Sequence, residues 1–533
     1  MALAIVVDQL SSWAAAERFP HLPNGGFARL RREGTWVKDS RYLHSTTETA
    51  PGHASLFTGR IPREHRIVGN AAWRSDLKTP RVGSLLEDEA FRVIGPDGVD
   101  PNSVGISLAN LRGPTLADAL KDRDPEAVVV ALSLEDRGSA FAGGRSPDAV
   151  IWYNDSSGTL VSSTAFAKAR LPPFSLERAK PIGQNTAFAW PVFDAAFVEA
   201  HQQTPDDSAG ESTSAGGRKF PHQVGGPGIT QGFRLLPEAD ALLVDLAIGS
   251  LALLKPGHPM LLSVSFSTHD IVGHSFGPNS WEAWSELAAL DAELARLLNA
   301  LDEKLGSDGY SVVLSADHGI VPMPEFVKQK RPDYCGGAPD PYERPCTVGI
   351  RAQSGNLEKS LNAALQKLFA SKEPLVSGIV DSRLILSPAA RALPAPQQQR
   401  LDQVLRVLLK QDPSVADVFL ISSFGECPAP TDESIPALVC RGNTENVSSG
   451  FYNTPGDYYI VLKPGHYWGW ADGVNHGSPY RYDRSVPLLV RYPGAPRDRV
   501  VEHGFFGSFY ASLWYALTGE VTSGPYGGVV GAR

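Results

Sequence analysis

The stretch STTETAPGHASLFTGR, residues 45–60, carries the hydroxyls of Ser45, Thr46, Thr47, Thr49, Ser55 and Thr58 around a Pro-Gly-His turn. A packed core has little use for so many, because every buried hydroxyl needs a partner. One of them could be a nucleophile, but a free hydroxyl attacks poorly at neutral pH and needs a base or a metal ion to activate it. Metal-type side chains occur elsewhere, each beside an apolar run. Asp8 follows ALAIVV, Asp270 and His274 lie in STHDIVGH after MLLSVSF, and Asp317 and His318 lie in ADHG after SVVLS. His476, in NHGSPY, precedes VPLLVRY. An isolated Asp or His after a strand is commonly a helix cap; its recurrence after successive strands is the signal. The spacing of Asp270 and His274 puts both on one side of a helical turn. Adjacent Asp317 and His318 point apart, and could serve different shells or one ion from a bend. Three carboxylates and three imidazoles suit zinc, which accepts N and O ligands; calcium or magnesium fits the histidines less well. Six ligands and a shared hydroxyl describe a two-metal site.

The elements that must position these groups are legible as hydrophobic runs. Residues 2–7, 127–134, 260–266, 311–315 and 486–492 are continuous, β-rich and apolar, as strands covered on both faces are. Between them, residues 115–121, 238–254 and 281–305 carry amphipathic helical patterns. The alternation predicts an α/β fold, a three-layer sandwich with a mainly parallel central sheet. In such a sheet ligands gather at the carboxyl ends of the strands, so the acids and histidines are expected on one edge. Residues 356–422 read as helix, strand, helix, strand, a small α+β insertion. The expected organisation is a catalytic unit of residues 1–350 and 441–533 with an inserted subdomain at 351–440. Residues 205–217, rich in Ser, Gly and Asp, read as a mobile surface loop.

The chain of 533 residues exceeds what one core holds, and its 58 acidic against 49 basic residues give a net charge of -9. That balance argues against a protein that coats nucleic acid, and no nucleic-acid-binding module is evident. No run of about 18 apolar residues predicts a membrane span. Four cysteines form two close pairs, Cys335 with Cys346 and Cys427 with Cys440, each bracketing a Pro-rich loop. Two loop-closing disulfides are expected, with buried thiols as the alternative, and disulfides imply an oxidising compartment. A periplasmic or secreted mature form fits, since residues 2–10 read as a strand without a basic leader. Oligomeric state is not written in the sequence.

Taken together, VVDQL, TAPGHASLFTGRIPREHRIVGN, LEDRGSA, STHDIVGHSFGP, SADHG and NHGSPY resemble the alkaline phosphatase superfamily. The likeness is to the bacterial phosphate-irrepressible type with a threonine nucleophile, which is itself related to nucleotide pyrophosphatases. It spans Asp8 to His476 in the family order. The resemblance implies a two-zinc hydrolase of small-molecule phosphate esters that acts through a covalent phosphothreonine. It makes Thr49 the nucleophile at the start of a helix, whose backbone N–H groups would face phosphoryl oxygens. One zinc would be held by Asp270, His274 and His476, the other by Asp8, Asp317, His318 and the Thr49 oxygen. Asn70 would donate to a phosphoryl oxygen, and Arg137 would grip the phosphoryl group with two donors. Thr46 and Thr47 are then turn or cap hydroxyls, and His53 is a structural histidine.

One position departs from the resemblance. Phosphomonoesterases of this type read Lys-Asp-Arg where this chain reads Glu135-Asp136-Arg137. Lysine and arginine together favour the dianion of a monoester. An ionised carboxylate about 4 Å from phosphate would act against it by of order 4 kcal/mol before screening. Glu135 therefore reaches the phosphate, turns away, pairs with Arg137, or faces a cationic leaving group. Phosphomonoesterase is the leading expectation and phosphodiesterase or nucleotide pyrophosphatase the alternative; a zinc-binding relative without catalysis is a remote third. A sulfatase is disfavoured, because TAPGH lacks the Cys or Ser that such enzymes modify. Trp468 and Trp470, in GHYWGWADG, are either packing or a wall on the leaving-group side.

Overall fold

The computed structural model describes residues 1–532 except 75, 76, 78, 80, 184, 215, 336–338, 445–452 and 455, with backbone alone at 330–335, 453 and 454. Its central sheet contains β1 (Ala2–Val7), β2 (Thr35–Arg41), β3 (Val128–Ser133), β4 (Ala149–Asn154), β5 (Thr159–Ser163), β6 (Met260–Phe266), β7 (Ser311–Ser315), β8 (Ser485–Arg491) and β9 (Arg499–Phe505). Their spatial order is β9-β2-β8-β7-β1-β6-β3-β4-β5, and the short strands Val93–Gly95 and Gly98–Val99 extend the sheet to 11. The block β7-β1-β6-β3-β4 is parallel, as its continuous apolar runs predict. β8, an equally apolar run, pairs antiparallel with both β7 and β2. Continuous burial records that both faces are covered; it does not record strand direction.

The helices that matter here are α1 (Thr49–Thr58), α2 (Asp136–Gly143), α3 (Pro237–Ser250), α4 (Thr268–Phe276), α5 (Trp281–Leu305), α6 (Ile435–Gly442) and α7 (Gly507–Thr518). α1, α2 and α7 form one helical layer, and α3 and α5 form another with α4 against it. α5 spans the 281–305 predicted for it, started by the Ser280 hydroxyl, which accepts the Ala283 N–H at 3.1 Å. The 238–254 pattern ends sooner, at Ser250, and tightens into a 3-10 turn over Leu251–Leu253. The described residues of 205–217 hold no helix or strand, but they are not a free surface loop. Glu211 and Ser212 are buried, and the Ser212 N–H donates to the Ser275 carbonyl at 2.8 Å.

A second, four-stranded sheet has its own core, including Leu361, Leu365, Leu384, Leu405, Leu409 and Ile460. Helices Ser354–Phe369 and Ala395–Gln411 flank the hairpin Val376–Val380/Arg383–Leu386 and the strand Val415–Leu420. A hairpin thus stands where one strand is predicted. The strand Tyr458–Leu462, beyond 351–440, inserts antiparallel between Arg383–Leu386 and Val415–Leu420. Which sheet a strand joins is set by its partners, not by its place in the chain. Among the described residues no helix is long and apolar enough to cross a membrane.

Cys427 and Cys440 are disulfide-bonded, with Cα atoms 5.7 Å apart. The other predicted pair involves Cys335, whose side chain lies outside the described residues. Cys440 sits on α6, which grips the segment leading to α1. The Ser45 N–H donates to Leu438 O at 3.0 Å, Thr46 Oγ1 to Gly442 O at 2.8 Å, and Arg441 Nε to Leu43 O at 2.5 Å. The disulfide closes a loop with a sequence separation of 13. For such a loop the double substitution Cys427→Ala with Cys440→Ala is expected to lower unfolding free energy by about 3 kcal/mol. Denaturant unfolding measures this; an unchanged midpoint would show that the clamp on residues 43–46 holds without it.

Candidate active site

β7, β1 and β6 are neighbours in register, with Val7 opposite Phe266 and Val6 opposite Ser315. Each therefore ends at the same level. Asp8 follows β1, Asp270 lies in the first turn of α4 after β6, and Asp317 and His318 follow β7. Antiparallel β8 begins at this edge, which brings in His476 from the preceding loop. β2 ends there too, with Arg41 opposite Ser485, and leads to Thr49 at the start of α1. Gly52, in the first turn of α1, is needed for this approach: a Cβ would overlap the Asp317 carbonyl oxygen.

The six ligand-type residues meet. Asp8, Asp317 and His318 each bring a ligand atom within 4.8 Å of one another, and so do Asp270, His318 and His476. His274 Nε2 and His476 Nε2 lie 3.2 and 3.6 Å from Asp270 Oδ1, and His318 Nε2 lies 3.3 Å from Asp8 Oδ1. The opposite nitrogen of each ring contacts a backbone carbonyl. Nδ1 of His274 lies 2.7 Å from Val474 O, that of His476 lies 2.7 Å from Thr47 O, and that of His318 lies 3.1 Å from Gly319 O. A carbonyl only accepts, so Nδ1 of each ring carries a proton and Nε2 is turned toward the carboxylates, the orientation that metal-binding histidines adopt. Both oxygens of Asp8, Oδ2 of Asp317 and Nε2 of His318 are buried, and beyond their close contacts with one another and with His53 they make no hydrogen bond of good geometry. Buried polar atoms left in this way fit a cation ligand set, and the N/O donors fit zinc.

The electrostatics agree. Burial raises the Asp8 pKa well above the carboxylate range, and Asp317, Asp270 and Glu135 add to it. Burial opposes ionisation of Asp270 and Asp317 as well. His274 and His476 nevertheless hold Asp270 well below the ordinary value, and His318 and His53 do the same for Asp317. His274, despite burial, is raised to about 9 by Asp270, whereas burial and the neighbouring histidines push His476 well down. Three carboxylates in one dry space repel each other, and a divalent cation is the species that relieves this.

Thr49 lines a cleft of about 660 Å³ together with Asn70, Glu135, Arg137, His274 and His476. The helix start offers fewer donors than expected. Ala50 N–H is taken by Asn70 Oδ1 at 2.8 Å, Pro51 has none, and Gly52 N–H bonds Glu48 O at 2.9 Å. The first of these contacts has a use, because it engages the Asn70 oxygen and leaves its amide N–H groups to donate. His53, buried at the rear, has Nδ1 2.9 Å from Thr49 O and 3.1 Å from Asp317 Oδ2. Thr47 Oγ1 donates to Ser478 O and Thr46 Oγ1 to Gly442 O, so these hydroxyls tie the segment to distant backbone instead of serving the turn or cap roles expected of them. Arg137 Nη2 lies 2.6 Å from Glu135 Oε2. Burial disfavours the Arg137 charge, but Glu135 and Asp136 raise its pKa above the ordinary value.

Other residues of the site were not singled out by the sequence. Gln9, in left-handed backbone at φ 69, donates its N–H to Asp317 Oδ1 at 3.2 Å and its Nε2 to Asp270 Oδ1 at 2.5 Å. Its one sequence signal is its place after Asp8. Asp381 and Ser382, at the hairpin tip of the smaller sheet, also line the cleft, and Trp468 Nε1 lies 3.2 Å from Ser382 Oγ. Arg234 is a further lining residue, and only the fold brings it there.

Residues 2–335 match the family described as type I phosphodiesterase / nucleotide pyrophosphatase. Over 549 residues the chain is 26% identical to an alkaline phosphatase PhoV of Synechococcus elongatus, covering 99% of this chain and 92% of that protein. It is 29% identical over 506 residues to an alkaline phosphatase PhoD of Zymomonas mobilis, covering 92% and 81%. The fold is similar to the crystal structure of alkaline phosphatase PafA, with a TM-score of 0.78 and 23% identity over 99% of this chain and 98% of that one. The chain belongs to the type I phosphodiesterase / nucleotide pyrophosphatase family and is a phosphate-ester hydrolase of the alkaline phosphatase superfamily.

Proposed function

We propose that the protein is a phosphomonoesterase that works with two zinc ions and through a phosphothreonine at Thr49. The observation that carries this reading is the position of Thr49, at the head of α1 and in the same cleft as the Asp and His cluster. Asp270, His274 and His476 would hold one ion, and Asp8, Asp317 and His318 the other, with the Thr49 oxygen as a further ligand. Zinc so held supplies Lewis acidity, which lowers the hydroxyl pKa of Thr49 and stabilises the departing oxygen. The Thr49 oxygen attacks phosphorus in line with the ester bond; the P–O bond to the leaving group breaks and that oxygen departs. Water then cleaves the phosphothreonine from the opposite side. Asn70 and Arg137 orient the non-bridging oxygens throughout.

A phosphodiesterase is the second reading, favoured by Glu135 in the same cleft. Comparing kcat/KM for one aryl phosphate as monoester and as its matched methyl diester decides between them; a preference for the diester would overturn the first reading. The cleft is also lined by Tyr467, Trp468 and Trp470, and Trp470 is 80% exposed. Its exposure supports the wall reading for this ring, since a packing residue would be covered. A disulfide in the described chain supports the reading of an oxidising compartment, the periplasm or outside the cell.

Thr49→Ala is expected to lower turnover by on the order of 10³-fold or more while metal content, read by elemental analysis, stays near two zinc ions per chain. Parent-like turnover in a clean preparation would remove Thr49 from its role. Chelation should abolish activity and lower the unfolding temperature, and zinc should restore both. At about 100-fold excess over Kd the ion contributes about 3 kcal/mol. An unfolding temperature insensitive to chelator would argue against ions on the buried carboxylates. Trp470→Ala should reduce the preference for aryl over alkyl monoesters; an unchanged ratio would rule out the wall.

A further inference from the structure

The cationic side of the cleft contains a residue outside every motif. Arg234 lies in the turn Phe233–Leu235 that leads into α3, and it lines the cleft with Thr49, Asn70 and Arg137. Two carboxylates hold it, one just beyond each of the neighbouring strands β3 and β4. Glu135 Oε1 is 3.2 Å from Arg234 Nη1, and Asp155 Oδ2 is 2.8 Å from Arg234 Nη2. The other oxygen of Glu135 is the one paired with Arg137. A single buried carboxylate therefore stands between two guanidinium groups and faces each with one oxygen.

We propose that Arg234 is a second phosphate-binding guanidinium, and that Glu135 is a positioning residue holding it beside Arg137. This rests on the reading of the cleft as a phosphate-ester site. The lysine expected at position 135 is absent, and N–H donors are supplied instead from another part of the chain by Arg234, with Glu135 and Asp155 as counter-ions; the wall gains donors without a net gain of positive charge. Each guanidinium carries five N–H donors, more than the carboxylates engage. Both side chains also keep some exposure, 28% for Arg137 and 21% for Arg234. Two planar donor sets on one wall suit a phosphoryl group with several charged oxygens, and thus a monoester dianion over a diester monoanion. The arrangement also accounts for a glutamate that would otherwise oppose the substrate. Its oxygens are turned to cations, so a phosphate meets the guanidinium groups.

The test uses the zinc-replete full chain with inorganic phosphate as the probe, its affinity measured by calorimetry and as inhibition of aryl phosphate hydrolysis. Arg234→Ala, and Arg234→Met, which keeps an unbranched stem, should each weaken phosphate binding by on the order of 10- to 100-fold. Both should lower kcat/KM for the monoester by more than for its methyl diester, a shift in ratio that a purely structural role would not produce. Glu135→Lys alone should also weaken phosphate binding, because a third cation displaces Arg234. Combining it with Arg234→Ala should recover affinity relative to either single substitution. Unchanged phosphate affinity in both Arg234 variants would overturn the proposal, as would tighter binding in Glu135→Lys alone. Calorimetry reads affinity without turnover, so failure of the proposed activity and failure of the Arg234 contact give different results.

Discussion

Three carboxylates that cannot share a dry space unaided govern this molecule. Asp8, Asp270 and Asp317 are brought together because β1, β6 and β7 run parallel, side by side and in register, and each hands its next residues to the same edge. The repulsion among them is met from several directions. Three histidines turn Nε2 inward, with carbonyls holding the far side of each ring. Gln9 adopts a left-handed backbone between two of the acids and donates to both. Strain of that kind persists only where its surroundings impose it. What the protein groups leave unsatisfied is a set of N and O lone pairs, which a cation would complete.

The rest of the fold serves to bring a hydroxyl and a pair of guanidinium groups to that edge. α1 presents Thr49 only because Gly52 lets the helix close onto the Asp317 turn and because α6, fastened by Cys427–Cys440, grips residues 43–46. The smaller sheet is part of the same construction. Its hairpin tip, Asp381 and Ser382, borders the cleft, and Arg383 Nη2 lies 3.9 Å from Glu48 Oε1, immediately before Thr49. Glu48 itself accepts the Asn70 N–H at 3.0 Å. Thr49, Asn70 and the smaller sheet are therefore linked through one buried carboxylate.

The cleft lining is of two unlike kinds. Guanidinium groups interleaved with carboxylates come from the ends of β3 and β4 and the turn before α3, and the rings of Tyr467, Trp468 and Trp470 come from a separate segment. A ligand with a charged end and a flat apolar end matches both. Because the cations and the rings come from separate segments, either set can change without rebuilding the other.

How much of this was legible in the chain depends on the range over which each feature is decided. The apolar runs ending in Asp8, Asp270 and Asp317 marked three central strands and their ligand edge, because hydrophobic periodicity and the residue after a strand are local properties. α5 was equally plain, its length and cap both written in sequence. Strand direction and sheet membership were not: β8 is antiparallel and Tyr458–Leu462 joins the smaller sheet, because hydrogen-bond partners distant in sequence make those choices. The same holds at the site. Sequence alone determined that Asp, His, Thr, Asn and Arg, residue types suited to metal and phosphate chemistry, occur in motifs along the chain. Tertiary structure alone decided that Glu135 meets two arginines, since a charge pair between residues 135 and 234 exists only once β3, β4 and the turn before α3 have packed.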